Sequence, residues 1–281
     1  MSQLRFGYNT NGFAHHRLED ALTIIRELGY ASAAITLDYH ALNPYDLAES
    51  RRQLPRVRRL MAPLRRGATI ETGARFLIDP RRKHQPTLLS SSVRHRAERF
   101  GFLVKAIEIA AILDVEVVSF WSGAALAAES PEKLMRRLVP LCRKLADQAS
   151  LKGVRLAFEP EPGMFIDTMA EYAELFDRVN HPAFGLTIDI GHLHCQGETP
   201  VENHLRKWSD VLWNIHIEDM KRGVHDHLLF GHGEIDFPPV LRTLKEIGYA
   251  GGVHVELSRH SHDAVETARQ ALEFLKSCRR Q

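Results

Sequence analysis

The chain has 281 residues, of which 44% are hydrophobic and 26% are charged. These fractions are those of a globular protein with a sizeable core, and they exclude disordered and collagen-like chains. The formal net charge of +2 is far from the strongly basic balance that would by itself indicate a nucleic-acid-binding protein. Histidine is frequent, with 16 residues, whereas the chain has only three cysteines.

Predicted strands and helices alternate along the whole chain. Short runs of apolar and β-branched residues are each followed by a longer stretch with helical periodicity. The eight predicted strands are Leu4 to Asn9, Ala31 to Leu37, Ala68 to Thr72, Val115 to Trp121, Val154 to Glu159, Phe184 to Ile190, Leu212 to Ile217 and Gly252 to Leu257. The helices predicted between them include Leu18 to Leu28, Arg94 to Leu113, Pro131 to Leu151, Met169 to Val179, Pro238 to Ile247 and Asp263 to Ser277.

This alternation predicts an α/β protein in which residues 1–281 form a single domain, a (β/α)₈ barrel. Eight units in 281 residues give about 35 residues per unit, which is typical of such a barrel. No linker rich in Pro, Gly or Ser divides the sequence. A doubly wound open sheet is the alternative, but residues 7–12 lack the glycine spacing of the phosphate loop expected after its first strand.

The N-terminus and the cysteines indicate a cytoplasmic protein. The first residues contain no basic segment followed by an apolar run and a cleavage site, so no secretory signal is predicted. The most hydrophobic window, residues 106–121, contains three acidic residues and is shorter than the roughly 20 apolar residues that span a bilayer. Cys142, Cys195 and Cys278 form no CxxC pair, which indicates neither a disulfide framework nor a zinc knuckle. No membrane partner is expected.

Four consecutive predicted strands, the fifth to the eighth, end in or beside a carboxylate or an imidazole. These side chains are Glu159, Asp189, His216 and Glu256. They should converge, because active sites of such barrels lie at the carboxyl ends of the strands. Three crowded carboxylates repel one another unless a cation neutralises them, so a divalent metal ion is predicted. Three oxygen donors and one nitrogen suit Mn²⁺, Mg²⁺ or Co²⁺, with Zn²⁺ as an alternative. Independent helix caps or solvated loop acids are the other interpretation.

The motifs around these residues resemble the xylose-isomerase-like, AP-endonuclease-2-like superfamily of TIM barrels, a family of sugar phosphate isomerases and epimerases. The motifs are FEP at 158–160, DIGH at 189–192, HIED at 216–219, GHGEIDF at 231–237 and VE at 255–256. The resemblance covers the whole chain and is specific from about residue 154 onward. It implies that Glu159, Asp189, His216 and Glu256 bind the metal, commonly Mn²⁺, and that the two glutamates act as the acid/base pair.

Elementary chemistry agrees with that implication. Moving a proton at a carbon next to a carbonyl requires a base, an acid and an electrophile that stabilises the resulting enediolate. Glu159 and Glu256 are therefore the predicted catalytic residues. The expected function is metal-dependent isomerisation or epimerisation of a sugar, sugar phosphate or cyclitol through a metal-stabilised enediolate. A keto-sugar or inosose dehydratase or lyase is the alternative, since the same enediolate can expel a β-hydroxyl, and a barrel that binds a metabolite without catalysis is less favoured.

The resemblance also implies contacts to a carbohydrate-like small-molecule substrate. His192 and Arg222 stand where ketose 3-epimerases contact substrate oxygens. Those enzymes carry a glutamate six residues after the first metal-binding glutamate, where this chain has Phe165, and Glu161 is the nearest acid. Trp121 is expected to stack on the apolar face of a sugar ring. A homo-oligomer is a further implication.

Two features raise the alternative of nucleic-acid binding. Endonuclease IV enzymes of the superfamily use extra histidines at the third and fourth strand ends, but residues 71–75 and 120–123 contain none, so a nuclease is disfavoured. Residues 51–66 carry seven arginines interspersed with apolar residues. We interpret them as an amphipathic helical segment interrupted by prolines rather than as a nucleic-acid or membrane patch. Glu71 and Arg75 are expected as polar groups near the mouth of the pocket, and His227 is a candidate for its rim or for a second ion.

Overall fold

A computed structural model describes residues 3–125 and 128–278, and eight parallel strands in it close into a barrel. Each strand pairs with its neighbour in the chain, and the last pairs with the first, with Arg5 beside Gly252. These strands are β1 Arg5–Asn9, β2 Ser32–Thr36, β3 Thr69–Glu71, β4 Val117–Phe120, β5 Arg155–Phe158, β6 Phe184–Asp189, β7 Leu212–Ile217 and β10 Gly252–Val255. Strands β8 Asp219–Lys221 and β9 Val224–Leu228 form a separate hairpin between β7 and β10. The predicted α/β barrel class is confirmed.

Helices surround the barrel and cover the outer faces of its strands. They are α1 Leu18–Glu27, α2 Leu47–Met61, α3 Val93–Ile112, α4 Pro131–Leu151, α5 Met169–Val179, α6 Ile190–Gln196, α7 Val201–Lys207, α8 Phe237–Glu246 and α9 Ala264–Cys278. Short 3₁₀ turns at Thr10–Phe13 and Ser258–Asp263 follow β1 and precede α9. Local capping explains several of these boundaries. Thr168 and Glu171 form a capping box at the start of α5, and Asn180 ends that helix in the left-handed region.

The interior of the barrel contains a buried polar chain beside its apolar layers. The fully buried imidazole of His254 hydrogen-bonds through Nδ1 to Asn214 Oδ1 at 2.8 Å and through Nε2 to Ser32 Oγ at 3.1 Å. A Cβ atom at Gly7 or Gly252 would collide with this ring, so both positions require glycine. This arrangement extends toward the carboxyl end of β7, because Asn214 also lies 3.2 Å from His216 Nε2.

An antiparallel hairpin that the periodicity did not predict follows β7. Its strands are β8 Asp219–Lys221 and β9 Val224–Leu228. Asp219 anchors the hairpin, because its Oδ2 accepts hydrogen bonds at 2.8 Å from the backbone N–H groups of Gly231 and Gly233. A side chain at Gly233 would collide with that carboxylate. The hairpin is thus anchored at its base, and its residues His225 and His227 line the cavity at the carboxyl ends of the strands.

The arginine-rich segment forms most of α2, and the helix continues through Pro55 and ends before Pro63. Its basic face is exposed, and Arg58 Nη2 lies 2.7 Å from Asp114 Oδ2. This agrees with an amphipathic helix, although the proline does not interrupt it. In the described ranges, no helix is both long and apolar enough to cross a membrane. Residues 1–2 and 279–281, the ends of the predicted domain, lie outside the described residues.

Candidate metal centre

The four predicted ligands meet at the carboxyl end of the barrel. Glu159 directly follows β5, Asp189 ends β6, His216 lies near the end of β7, and Glu256 directly follows β10. Parallel strands in register bring these positions to one level, and His216 is paired with Asp189 across β6 and β7. One ligand atom from each of the four lies within 4.8 Å of the others. All four residues are largely buried.

The carboxylate oxygens are arranged around a common point. His216 Nδ1 lies 3.0 Å from Glu159 Oε1 and 3.0 Å from Glu256 Oε2. The other oxygen of Glu256 accepts a hydrogen bond from Asn11 Nδ2 at 2.7 Å. Asp189 Oδ1 caps α6 by accepting the N–H of His192 at 2.8 Å, whereas its buried Oδ2 has no hydrogen-bond donor among the described residues. An orphaned buried oxygen beside two further carboxylates fits a divalent cation.

The electrostatics of these groups also fit a cation. Burial raises the pKa of Glu159 to about 8, although the neighbouring His216 acts in the opposite direction. Burial lowers the pKa of His216, but the charges of Glu71, Glu159 and Glu256 outweigh it and hold that pKa well above its ordinary value. The cluster therefore retains protons at neutral pH, which a divalent ion would displace on binding.

Glu71, at the end of β3, orients the histidine. Its Oε1 lies 2.9 Å from His216 Nε2 and also accepts a hydrogen bond from Asn214 Nδ2 at 3.1 Å. A carboxylate that accepts the Nε2 proton fixes the tautomer and directs the Nδ1 lone pair of His216 to the centre. The sequence predicted Glu71 only as a polar group near the mouth. The sequence feature that could have identified Glu71 is an acidic residue at the end of a predicted strand, as at Glu159, Asp189 and Glu256.

A cavity of about 310 Å³ lies over the centre, and Glu161, His192 and Trp121 are among the residues that line it. Burial, and then the charge of Glu159, raise the pKa of Glu161 well above its ordinary value. Burial lowers the pKa of His192 to about 4, so its imidazole is neutral. Trp121 is 7% exposed, and the guanidinium of buried Arg99 lies 4.7 Å from the ring centroid. One face of the indole is therefore covered by protein.

Arg222 is the predicted substrate-binding residue that the structure does not bring to this cavity. It lies in the turn between β8 and β9, is exposed, and does not line the cavity. Its Nη2 lies 3.5 Å from Thr199 Oγ1, and its backbone N–H donates to Glu234 Oε2 at 3.1 Å. Arg222 does not reach the cavity because it lies on the outer edge of the hairpin, which the sequence did not predict. The cavity instead receives His225 and His227 from β9, of which the sequence singled out only His227.

The fold and the site together define a class of protein, a (β/α)₈ barrel with a carboxylate and histidine centre at the carboxyl ends of its strands. Residues 22–278 match the family described as xylose isomerase-like TIM barrel. The chain belongs to this family, which agrees with the resemblance seen in the motifs.

Proteins similar to this chain carry names of sugar epimerases. The L-ribulose-5-phosphate 3-epimerase UlaE of Shigella flexneri serotype 5b (strain 8401) is 26% identical over 75% of this chain and 74% of its own length. The chain spans 64% of the length of the UlaE proteins that it matches in several Escherichia coli strains.

Two solved structures share the fold. The D-allulose 3-epimerase of Methylomonas sp., solved in complex with D-allulose, is 21% identical with a TM-score of 0.76, over 99% of this chain and 98% of that one. The IOLI protein, solved with a zinc atom, is 19% identical with a TM-score of 0.76, over 98% of both chains. At these identities the likeness concerns the fold.

Proposed function

We propose that the protein is a divalent-metal-dependent sugar isomerase or epimerase that moves a proton at a carbon next to a carbonyl group. The observation that carries this proposal is the convergence of Glu159, Asp189, His216 and Glu256 within 4.8 Å under a cavity of about 310 Å³. The cavity is at the low end of the usual size for small-ligand sites. The names of the relatives and structural neighbours support the same class of reaction.

The four clustered side chains would hold the ion. Their three carboxylates and one imidazole favour Mn²⁺, and Zn²⁺ is the alternative, given the zinc atom in the IOLI structure. When bound, a divalent ion supplies positive charge that stabilises the negative charge developing on the substrate's carbonyl oxygen.

Glu159 and Glu256 are the proposed acid/base pair. Both stand at the cavity floor, where Asn11 Nδ2 donates a hydrogen bond to Glu256 Oε1 and His216 Nδ1 lies 3.0 Å from one oxygen of each glutamate. One glutamate takes the proton from the carbon, and the other returns a proton on the opposite face for an epimerisation. Glu161 and His192 line the cavity beside them and would bind substrate hydroxyl groups. Trp121, which also lines the cavity, would pack against the sugar carbons.

The rim of the cavity favours a substrate with an anionic group. Arg75, Lys83 and Arg259 line it. Arg75 has a loose ion pair, 3.8 Å from Asp38 Oδ2, and Arg259 pairs with Asp226, but Lys83 has no ion-pair partner among the described residues. A free ammonium group at the mouth fits a phosphate. A ketose phosphate such as that named for UlaE is therefore the first substrate to test.

A dehydratase or lyase acting on a keto-sugar or inosose is the second candidate. It is favoured by Glu161, which lines the cavity together with Glu159 and Glu256 and whose pKa is raised by burial, since such a carboxyl group can donate a proton to a departing hydroxyl group. This reaction begins with the same proton abstraction, and the two candidates differ in whether a hydroxyl group is lost.

Hydrogen exchange from D₂O tests the proposal. The Mn²⁺-loaded protein is incubated with L-ribulose 5-phosphate, D-allulose or an inosose, and the carbons beside the carbonyl are followed by NMR. We expect deuterium at one such carbon, and release of water in addition if the dehydratase is correct. Glu159→Gln and Glu256→Gln should lose the exchange by a factor on the order of 100 to 10,000.

The matched control is Glu27→Gln, which makes the same chemical change on a carboxylate that is 65% exposed and should exchange like the wild type. Exchange that persists in a Glu159→Gln/Glu256→Gln double variant would sink the assignment of the acid/base pair. Absence of exchange with every ketose and inosose would favour a barrel that binds a metabolite without converting it.

A further inference from the structure

The loop between β3 and α3 brings to the cavity a histidine that the proposed reaction does not use. The ends of residues 75–84 lie side by side, because the backbone N–H of His84 donates to Arg75 O at 2.6 Å. Arg75, Lys83 and His84 from this loop all line the cavity. The loop therefore forms part of the cavity wall.

The backbone of this loop is held in an unusual conformation at two places. His84 has a φ of 63° and Ala74 has a φ of 47°, both in the left-handed region. Residues other than glycine rarely adopt this region, although Asn, Asp and His tolerate it best. Such conformations cost free energy and concentrate at ligand-binding sites, where the surrounding structure imposes them. The position of His84 is thus fixed by the loop.

The imidazole of His84 is fixed as well. Its Nδ1 lies 2.8 Å from the backbone oxygen of Gly73, and a carbonyl oxygen can only accept, so Nδ1 carries the proton. The ring meets the indole of Trp121 edge to face, with the ring centroids 5.4 Å apart. Burial lowers the pKa of His84 to about 4, although the hydrogen bond to Gly73 acts in the opposite direction. The ring is therefore neutral at pH 7, and its lone pair is on Nε2.

His84 Nε2 is a hydrogen-bond acceptor that lacks a donor among the described residues. An ionised phosphate or carboxylate has no proton to offer it, whereas a hydroxyl group does. We propose that His84 is a substrate-specificity residue whose Nε2 accepts a hydrogen bond from a hydroxyl group of the substrate. This inference rests on the proposed function for the chemical class of the ligand, a polyhydroxylated molecule.

Lys83 and His84 would then recognise two different groups of one substrate. The ammonium group of Lys83 only donates hydrogen bonds and suits an anionic group, whereas the acceptor on His84 suits a hydroxyl group. A site built to bind a hydroxyl group discriminates strongly against the analogue that lacks it. A sugar phosphate or polyol phosphate satisfies both residues, but inorganic phosphate satisfies only Lys83. The two neighbouring residues therefore select a phosphorylated molecule that also carries free hydroxyl groups.

Binding of two inert polyols tests this role without any activity measurement. Ribitol and ribitol 5-phosphate lack a carbonyl group, so they undergo no proton transfer beside one, and calorimetry on the Mn²⁺-loaded protein measures their dissociation constants. His84→Asn keeps a side-chain N–H for Gly73 and is tolerated in the left-handed region, but it loses the Nε2 acceptor. We expect this variant to weaken the binding of both polyols by the same factor, roughly 5 to 20-fold.

Two further variants show which group each residue binds. Lys83→Met should weaken the binding of ribitol 5-phosphate by roughly tenfold or more and leave that of ribitol unchanged. The matched control is His262→Asn, the same substitution at an exposed histidine that does not line the cavity, and it should bind both polyols like the wild type.

The results separate this inference from the proposed function. Unchanged dissociation constants in a His84→Asn variant that circular dichroism shows to be folded would overturn the role of His84, as would a wild type that binds neither polyol. If the variant does not fold, ¹⁵N NMR of the Mg²⁺-loaded wild type decides, because saturating ribitol must shift the Nε2 resonance of His84, and an unmoved resonance overturns its role. Absence of deuterium exchange together with the expected affinities would overturn the proposed function and leave the role of His84 intact.

Discussion

Replacing Glu71 by glutamine tests how the centre is organised. The substitution keeps the shape of the side chain, and Asn214 Nδ2, now 3.1 Å from Glu71 Oε1, can still donate to the amide oxygen. It removes the negative charge 2.9 Å from His216 Nε2. The amide oxygen can still accept the Nε2 proton, but without the negative charge it makes the imidazole less basic, so its Nδ1 becomes a poorer ligand.

The size of the effect follows from similar arrangements. Loss of a carboxylate that supports a metal-binding histidine weakens metal affinity by roughly 10 to 100-fold. This corresponds to about 1.4 to 2.7 kcal/mol of binding free energy. We expect Glu71→Gln to raise the dissociation constant for Mn²⁺ by this factor, with a folded protein and an unchanged stoichiometry.

The assay is a titration with Mn²⁺ in which free Mn²⁺ is followed by electron paramagnetic resonance. Glu27→Gln, at an exposed carboxylate, is the control and should bind like the wild type. If Glu71→Gln folds normally and its dissociation constant changes by less than a factor of two, the proposed role of Glu71 is refuted.

The remaining predictions concern protons and packing. Because the pKa of His216 is raised well above its ordinary value and that of Glu159 to about 8, Mn²⁺ must displace protons, so its apparent affinity should rise between pH 6 and pH 8. Calorimetry in buffers of different ionisation enthalpy measures this release, and a pH-independent affinity would contradict it. Gly191→Ala should destabilise the protein by about 1 to 3 kcal/mol, because the new Cβ collides with the Glu218 carboxyl. Gly101→Ala, in the middle of α3 with open space around it, should instead stabilise it by about 0.5 to 1 kcal/mol in urea unfolding, and equal effects would be inconsistent with the packing described.

The regular part of the fold could be predicted from the sequence because its patterns are local. Pro131–Leu151, Met169–Val179 and Leu212–Ile217 have the predicted bounds, since capping residues and apolar periodicity mark both ends. The convergence of the four ligands could be predicted as well, because in a barrel the position along a strand fixes the level in the structure. Their roles as metal ligands stay a prediction.

The unpredicted parts depend on contacts across the barrel. The hairpin has a strand of only three residues, Asp219–Lys221, which is too short for a recognisable alternation. The substrate contact of Arg222 was implied by the resemblance alone, and this residue lies in the turn of the hairpin. The contact between Glu71 and His216 joins β3 to β7, which are not neighbours in the sheet. A cytoplasmic location and a homo-oligomer stay predictions of the sequence, to be tested by cell fractionation and by light scattering.

Anomalous X-ray diffraction from crystals grown with Mn²⁺ tests the central claim most directly. We predict an anomalous peak at the carboxyl end of the barrel, within bonding distance of Glu159, Asp189, His216 and Glu256. If calorimetry shows that Mn²⁺ binds while the peak lies elsewhere, or contacts fewer than three of these side chains, the proposed centre is contradicted.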